Sequence, residues 1–250
     1  TTYDFGKNLA QVQLDLEDTL LTLPAMGWSK KAGSSGVANI SFEIDDNRIT
    51  NIPKFSLVAG DMIMNGSAAY GGDEGRLERV NIDQISFKRT DLAGVVIPGN
   101  DGGWTVSFHG PSLDLEPSFE DLFKASPDAD GELDLKLSLS ANVDKVWVGQ
   151  KHFLKQITGT LNRADNRWRG ISVDGTLSSG EKFNVLLRPN GKGKRWVKIR
   201  TTDAGNMLRT LDVYDTMVGG TLDVEAIFDD TVDDNPLSGE VLIRNYRLVD

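Results

Sequence analysis

No cysteine occurs anywhere in the sequence. Disulfide frameworks, thiolate metal sites and cysteine nucleophiles are therefore excluded, and the composition is neutral as to redox compartment. No stretch approaches the roughly 20 apolar residues of a membrane-spanning helix, and no signal peptide opens the chain. Histidine is nearly absent. His109 and His152 stand in unlike contexts, neither with a partner at metal-ligand spacing nor beside a nucleophile motif. "SFHGPS" reads as a strand end and "GQKHFL" as a turn into a strand. Basic residues are in the minority, 27 against 37 acidic, for a formal net charge of -10 and a pI near 4.8. This deficit argues against nucleic acid, whose binding needs a basic footprint, and against a purely electrostatic dock on an anionic membrane. Any lipid contact must be apolar. The chain opens on Thr1 rather than Met, as a fragment would, so targeting and anchoring segments are expected outside it.

What the sequence does have is alternation. Its 250 residues, 39% of them hydrophobic, suffice for one large or two ordinary domains. Val12/Leu14/Leu16, Ile40/Phe42/Ile44, Leu133/Leu135/Leu137/Leu139, Phe183/Val185/Leu187 and Leu222/Val224/Ala226 each place apolar side chains on one face of a strand, with Asp, Lys, Ser, Asn and Glu between them. This is the pattern of antiparallel strands with one wet and one dry face. The turns "YGGDEG", "GNDGG" and "RPNGKGK" connect them.

Two segments break the rhythm. In "SFEDLFKA", Phe119, Leu122 and Phe123 follow helical spacing, with Ser118 placed to cap, which predicts a helix over Ser118 to Ala125. In "DAGNMLRTLDVYD", Ala204, Met207, Leu208 and Leu211 fall at i, i+3, i+4 and i+7, with Asp203 as N-cap. The chain also repeats at a spacing of about 90 residues. "GELDLKL" aligns with "GTLDVEA", "RLERVNID" with "RWRGISVD" and "VVIPGN" with "LLRPNG"; Trp104 and Trp196 follow, then each helix. Gly36, Gly131 and Gly220 each open a strand in this scheme. It divides the chain into the end of a preceding unit (1–35), a unit with its terminal helix (36–130), a second such unit (131–219) and the start of a third (220–250). Units that cannot close their own cores stack on their neighbours.

Catalytic chemistry finds little support. "FDDTVDDNP" and "SPDADGELD" gather carboxylates, but neither has the ligand spacing of a twelve-residue calcium loop, and both read as solvated turns. Asp212 and Asp215 invite a two-carboxylate hydrolase reading, but nothing fixes their separation, and a capping role fits them better. Arg188, Lys192, Lys194, Arg195, Lys198 and Arg200 surround a hairpin turn, as a solvated hairpin or as a contact for lipid phosphates. The strongest feature is an excess of one-sided apolar rows over the elements available to cover them. Either two sheets close as a sandwich, or a sheet curls into a groove lined for a ligand. The pattern alone leaves both open.

"GGWTVSFHGPSLDLEPSFEDL", "TTDAGNMLRTLDVYDTMVGGTLDVEA" and "LSGEVLIRNYRLVD" resemble the C-terminal part of the large AsmA-like proteins of Gram-negative bacteria. The matching positions are Gly205, Leu208, Leu211, Tyr214, Gly219, Gly220, Leu222, Gly239, Ile243, Tyr246 and Val249. The resemblance implies a mainly β fold, a repeating antiparallel β-groove in a curved, elongated sheet, with two short amphipathic helices at unit boundaries. It implies a periplasmic protein anchored to the inner membrane by a segment outside this chain, carrying phospholipid toward the outer membrane without catalysis. Such a groove needs neither metal nor cofactor, and its partner is an acyl-chain lipid rather than nucleic acid. Its expected lining is Val12, Leu14, Leu16, Ile40, Phe42, Ile44, Met62, Met64, Leu133, Leu135, Leu137, Leu139, Phe183, Val185, Leu187, Leu222, Val224 and Ile243. The boundary helices would present Phe119, Leu122, Phe123, Met207, Leu208 and Leu211. The competing reading is a closed β-sandwich module that binds a protein partner at a sheet edge. An enzyme acting on carbohydrate or lipid is a third.

Overall fold

The structure is a computed structural model and describes residues 2–4, 9–45, 48–72, 75–119, 136–165, 167–232 and 235–249. The fold is mainly β, and contacts divide it into two compact units, Thr1–Ser118 and Phe119–Asp250.

In the first unit the strands are β1 (Thr2–Asp4), β2 (Leu9–Asp15), β3 (Leu21–Leu23), β4 (Trp28–Lys30), β5 (Gly36–Asp45), β6 (Arg48–Ala59), β7 (Met62–Gly71), β8 (Arg76–Phe87), β9 (Thr90–Pro98) and β10 (Trp104–Asp114). The small β3–β4 hairpin stands apart from the main sheet, which runs β1-β2-β5-β6-β7-β8-β9-β10 with every neighbour antiparallel. Tight reversals make this meander possible. Gly60 at φ 59° and Lys88 at φ 46° supply the left-handed residue that a short hairpin turn requires.

The buried core of this unit lies at one end of the strands. Trp28 is 3% exposed, Phe87 3%, and Ala59 and Met62 0%. The Trp28 and Phe87 rings meet at 6.3 Å, and the indole Nε1 donates to Asp61 Oδ1 at 2.9 Å. Two 3-10 turns, Pro24–Met26 and Glu116–Ser118, complete this closed end. Lys30, 2% exposed, donates through Nζ to the carbonyls of Glu17, Thr19 and Lys31 at 3.0–3.1 Å, so its buried ammonium is satisfied by backbone. Arg89 forks onto Asp114 at 2.8 and 2.9 Å and also contacts Glu116; the Asp114 carboxylate raises its pKa above the usual guanidinium value.

The second unit contains β11 (Leu137–Trp147), β12 (Phe153–Ala164), β13 (Arg167–Thr176), β14 (Lys182–Pro189), β15 (Lys194–Thr201), α1 (Ala204–Thr210), β16 (Met217–Asp229) and β17 (Leu237–Leu248). Its sheet is again a sequential antiparallel meander from β11 to β17. Asp203 caps α1 by accepting from the Asn206 N–H at 3.0 Å, as its position before the periodic residues predicts. The helix ends on Asp212 at φ 57°, and the Val213 N–H returns to the Leu208 carbonyl at 2.9 Å. Asp212 thus terminates a helix, and the backbone carbonyl of Asp215 accepts from Arg209.

Ala204, Gly205, Met207 and Thr210 are buried where α1 packs on β16. Gly205 is required there, since a Cβ would lie 2.4 Å from the Met217 carbonyl oxygen. With Leu177 at 0% exposure, Met207 at 4% and Phe183 at 5%, α1 marks the closed end of this unit.

Two expectations need revision. Gly220 does not open a strand; it lies inside β16 beside Gly219, both at positive φ. Among the described residues α1 is the one α-helix. Of the other expected helix, Ser118 ends a 3-10 turn, Phe119 lies in a turn and not in a helix, and the remainder lies outside the described residues.

Candidate functional site

The strand registers assemble the apolar residues into continuous rows. In the first unit one row runs Val12–Ile40–Phe55–Gly66–Ile82–Gly94–Phe108, each residue directly opposite the next. A second runs Leu14–Ala38–Leu57–Met64–Ile85–Leu92. A third, Ile52–Ala68–Val80–Val96–Val106, lies on the same face. Phe42 follows Ile40 on this face of β5, and Ile44 is opposite Ile49. Glycine and aromatic residues interlock here. A Cβ on Gly66 would sit 2.6 Å from the Phe55 ring and 2.1 Å from the Asn81 carbonyl oxygen.

The second unit repeats the plan. Leu139–Leu161–Ile171–Leu187–Val197–Ala226–Gly239 forms one row and Ala141–Gly159–Val173–Val185–Ile199–Val224–Val241 the next. A third joins Gly175, Phe183, Thr201, Leu222 and Ile243. Opposite faces carry Ser, Thr, Asn and charged residues, including the rows Gln13–Asn39–Ser56–Asn65 and Asn142–Thr158–Asp174–Asn184–Arg200–Asp223. A shallow depression of about 430 Å³ lies over Gln11, Gln13, Asn39, Ser41, Lys54 and Ser56 of the first unit, with Val12 and Ile40 also in its lining.

Burial grades along these rows. At the closed ends, Met62, Phe183 and Leu222 are buried, so they belong to the core and not to an accessible surface. Met62 in particular is a core methionine, whereas Met64 is half-buried. At mid-strand Val12, Ile40, Phe42, Ile44, Leu139, Val185 and Val224 are half-buried, Leu187 is buried, and Leu14 is 44% exposed. Leu16, just past β2, is half-buried beside Gly36. In a sandwich, a facing sheet would bury the mid-strand rows; these rows are mostly half-buried. Leu137 and Ile243 are also half-buried, while Leu133, Leu135, Leu122 and Phe123 lie outside the described residues. Among the boundary residues Met207 is buried; Phe119, Leu208 and Leu211 are half-buried.

Several members of these rows escape an alternation reading. Irregularities between Ile52 and Phe55 and between Ile82 and Ile85 break the period of two while leaving both partners on one face. In β9 the run Leu92–Ile97 is apolar or small throughout, so no face is marked. In β15 the cations draw attention away from Val197 and Ile199, although these alternate regularly.

The charged candidates separate. Lys198 contacts Glu225, and Arg200 meets Asp223 at 3.2 Å on the polar face. Lys194 pairs with Asp229 at 2.8 Å, and this pairing, with hydrogen bonds from Thr231, holds the Asp229 carboxyl down at about 2. Lys192 occupies the turn, and Arg188 is opposite Trp196 on the polar face. Arg195 alone among these lies on the apolar face, two residues before Val197. Its guanidinium forks onto Asp230 at 2.7 Å, donates to the Trp168 carbonyl at 2.8 Å and stacks 4.9 Å from the Phe228 ring centre. Arg195 holds the Asp230 carboxyl below the usual carboxylate range.

His109 is exposed on β10, and His152 is half-buried, its carbonyl accepting from Val148. Among the described residues no cluster of potential metal ligands occurs, and no helix is long and apolar enough to cross a membrane. No family model and no curated protein matches the chain.

Proposed function

We propose that the apolar faces of the two units shield the acyl chains of phospholipid, as a non-enzymatic periplasmic segment of an AsmA-like protein that serves lipid transport toward the outer membrane. One observation carries this reading: the continuous apolar rows keep partly exposed members at mid-strand in both units. Covering such a surface with hydrocarbon returns roughly 0.8 kcal/mol per buried methylene, while a headgroup stays in water. A face of this kind works through its whole lining, and each row adds contact along the chain. The repeating groove and its anchorage to the inner membrane belong to this proposal.

The direct test is organic extraction or native mass spectrometry of the purified 250-residue protein. Co-purifying phospholipid is the expected result. Its repeated absence, with no binding of added lipid, would sink the reading. A buried charge on the row sharpens the test. Val185→Asp should lose at least about tenfold in lipid loading while the unit still folds, because Val185 faces partly into solvent. Global unfolding of this variant would point to a closed core.

A second reading has one observation in its favour. β17 pairs with β16 along its length, and Leu237, Val241, Leu242, Tyr246 and Leu248 on it are 44–63% exposed. A long edge strand with uncovered apolar side chains suits an assembly module that adds a partner's strand. Charged substitution of Leu242 and Tyr246, on the face away from the apolar rows, would then abolish partner capture and spare lipid binding.

A further inference from the structure

The row that follows Leu139–Leu161–Ile171 toward the end away from α1 changes character. Leu137 is opposite Arg163, and Arg163 is opposite Trp168. Two strands along, Arg195 reaches back over β14 to the Trp168 carbonyl. Arginine 163 shares its strand face with Leu161, since the β11–β12 register is regular at this point. It is half-buried, and its side chain makes no hydrogen bond or ion pair with any described residue. Arg195, by contrast, is neutralised by Asp230. Arg167 and Arg169 lie 3.8 and 4.0 Å from the same Asp230, with side chains 40% and 38% exposed, and Arg169 also meets Asp165 at 2.5 Å. Among the described residues around this one end, Arg163, Arg167, Arg169, Lys194 and Arg195 outnumber Asp165, Asp229 and Asp230, in a chain whose net charge is -10. In the corresponding row of the first unit Tyr70 is opposite Leu77 and Trp104 opposite Pro98, while Arg76, which aligns with Arg167, is opposite Gly71.

We propose that this end of the second unit is a headgroup site, in which Arg163 binds the anionic headgroup of a lipid whose acyl chain lies along the Leu139 and Val185 rows. The inference rests on the lipid-shielding reading above and adds the ligand's charge and orientation. Arg163 is suited to the task by its surroundings. It lies opposite Leu137 and Trp168, it is half-buried, and among the described residues no carboxylate pairs with it. The Arg195–Asp230 pair is the fixed wall of the site, because that arginine's donors are already committed to Asp230 and the Trp168 carbonyl. In the first unit the same position would take an uncharged part of the lipid.

The test titrates the full 250-residue protein by calorimetry with lysophosphatidylglycerol and lysophosphatidylcholine of one acyl length, both below micelle formation, and with inorganic phosphate. Wild type should prefer the anionic lipid by about tenfold, the size of one charge-assisted hydrogen-bonding contact. Arg163→Gln should bring that preference below about twofold with affinity for the zwitterionic lipid unchanged. Arg163→Lys should retain most of it, and Arg200→Gln, on the polar face, all of it. Binding of both lipids without preference in wild type, or a preference that survives Arg163→Gln, overturns the headgroup site and leaves the shielding reading intact. Failure of both lipids to bind overturns the two together. Inorganic phosphate that binds as tightly as the anionic lipid would make this a free-anion site and overturn the assignment to lipid. Should Arg163→Gln fail to fold by circular dichroism, Arg163→Met, which keeps the aliphatic stem, is expected to lower the preference to the same extent, and no change there counts against the site.

Discussion

At the scale of single residues, the apolar face is set by where a side chain is missing as much as by where one is present. Phe55 lies over Gly66, and the sheet is drawn so close at that point that a methyl group would collide with both the ring and the Asn81 carbonyl oxygen. Gly66→Ala is therefore expected to cost about 1–3 kcal/mol, because the obstruction includes backbone that cannot swing aside. A urea melt that left the midpoint unchanged would show that β7 can move away from β8. Arg195 illustrates the opposite case, a charge carried onto an apolar face and stabilised there by a two-point grip from Asp230. From the sequence, it is one cation among several around a turn. Only the register assigns Lys198 and Arg200 to one face and Arg195 to the other.

At the scale of elements, α1 was legible almost residue by residue, because its cap, periodicity and terminator are all local signals. Its docking was not. Helical Gly→Ala usually gains about 1 kcal/mol. Gly205→Ala is expected to lose about 1–3 kcal/mol instead, since the added Cβ meets the backbone of Met217 and Val218. A stabilised variant in urea denaturation would refute the close contact between α1 and β16. The β15–β16 hairpin should also respond to acid. Asp229 titrates at about 2 and Asp230 lies below the usual carboxylate value, whereas in the unfolded chain both return to about 3.9. Groups depressed in this way add stability that is fully present above pH 4 and drains away as pH falls through the folded value. Amide exchange in β15 and β16 should therefore accelerate between pH 4 and 2 relative to strands without such pairs, after correction for the intrinsic rate. Asp229→Asn should flatten part of that slope, and an unchanged slope would mean that the Lys194 pairing contributes nothing.

At the scale of the whole molecule, both units combine a closed end with rows that stay partly open at mid-strand, so folding removes less surface from water than in a closed globular domain. The urea m-value should consequently fall below that of a closed protein of 250 residues. An m-value typical of that size would indicate that the rows are covered. The sequence by itself determined the mainly β class, the antiparallel strands, the helix at Asp203 and the wet and dry faces of the regular strands, since period-two alternation, capping and turn chemistry act over a few residues. It did not determine which rows join. Irregular pairing in β6 and β8 shifts Ile52, Phe55, Ile82 and Ile85 onto one face against the simple period. Nor did it reveal that Met62 is sealed while Met64 is half-buried, two positions alike in sequence. Only the tertiary structure decided these points, because exposure depends on what lies across the strand ends: the β3–β4 hairpin in one unit and α1 in the other. The same dependence isolates Arg163 on an apolar face, where pairing between strands distant in sequence sets its neighbours and thereby its chemistry.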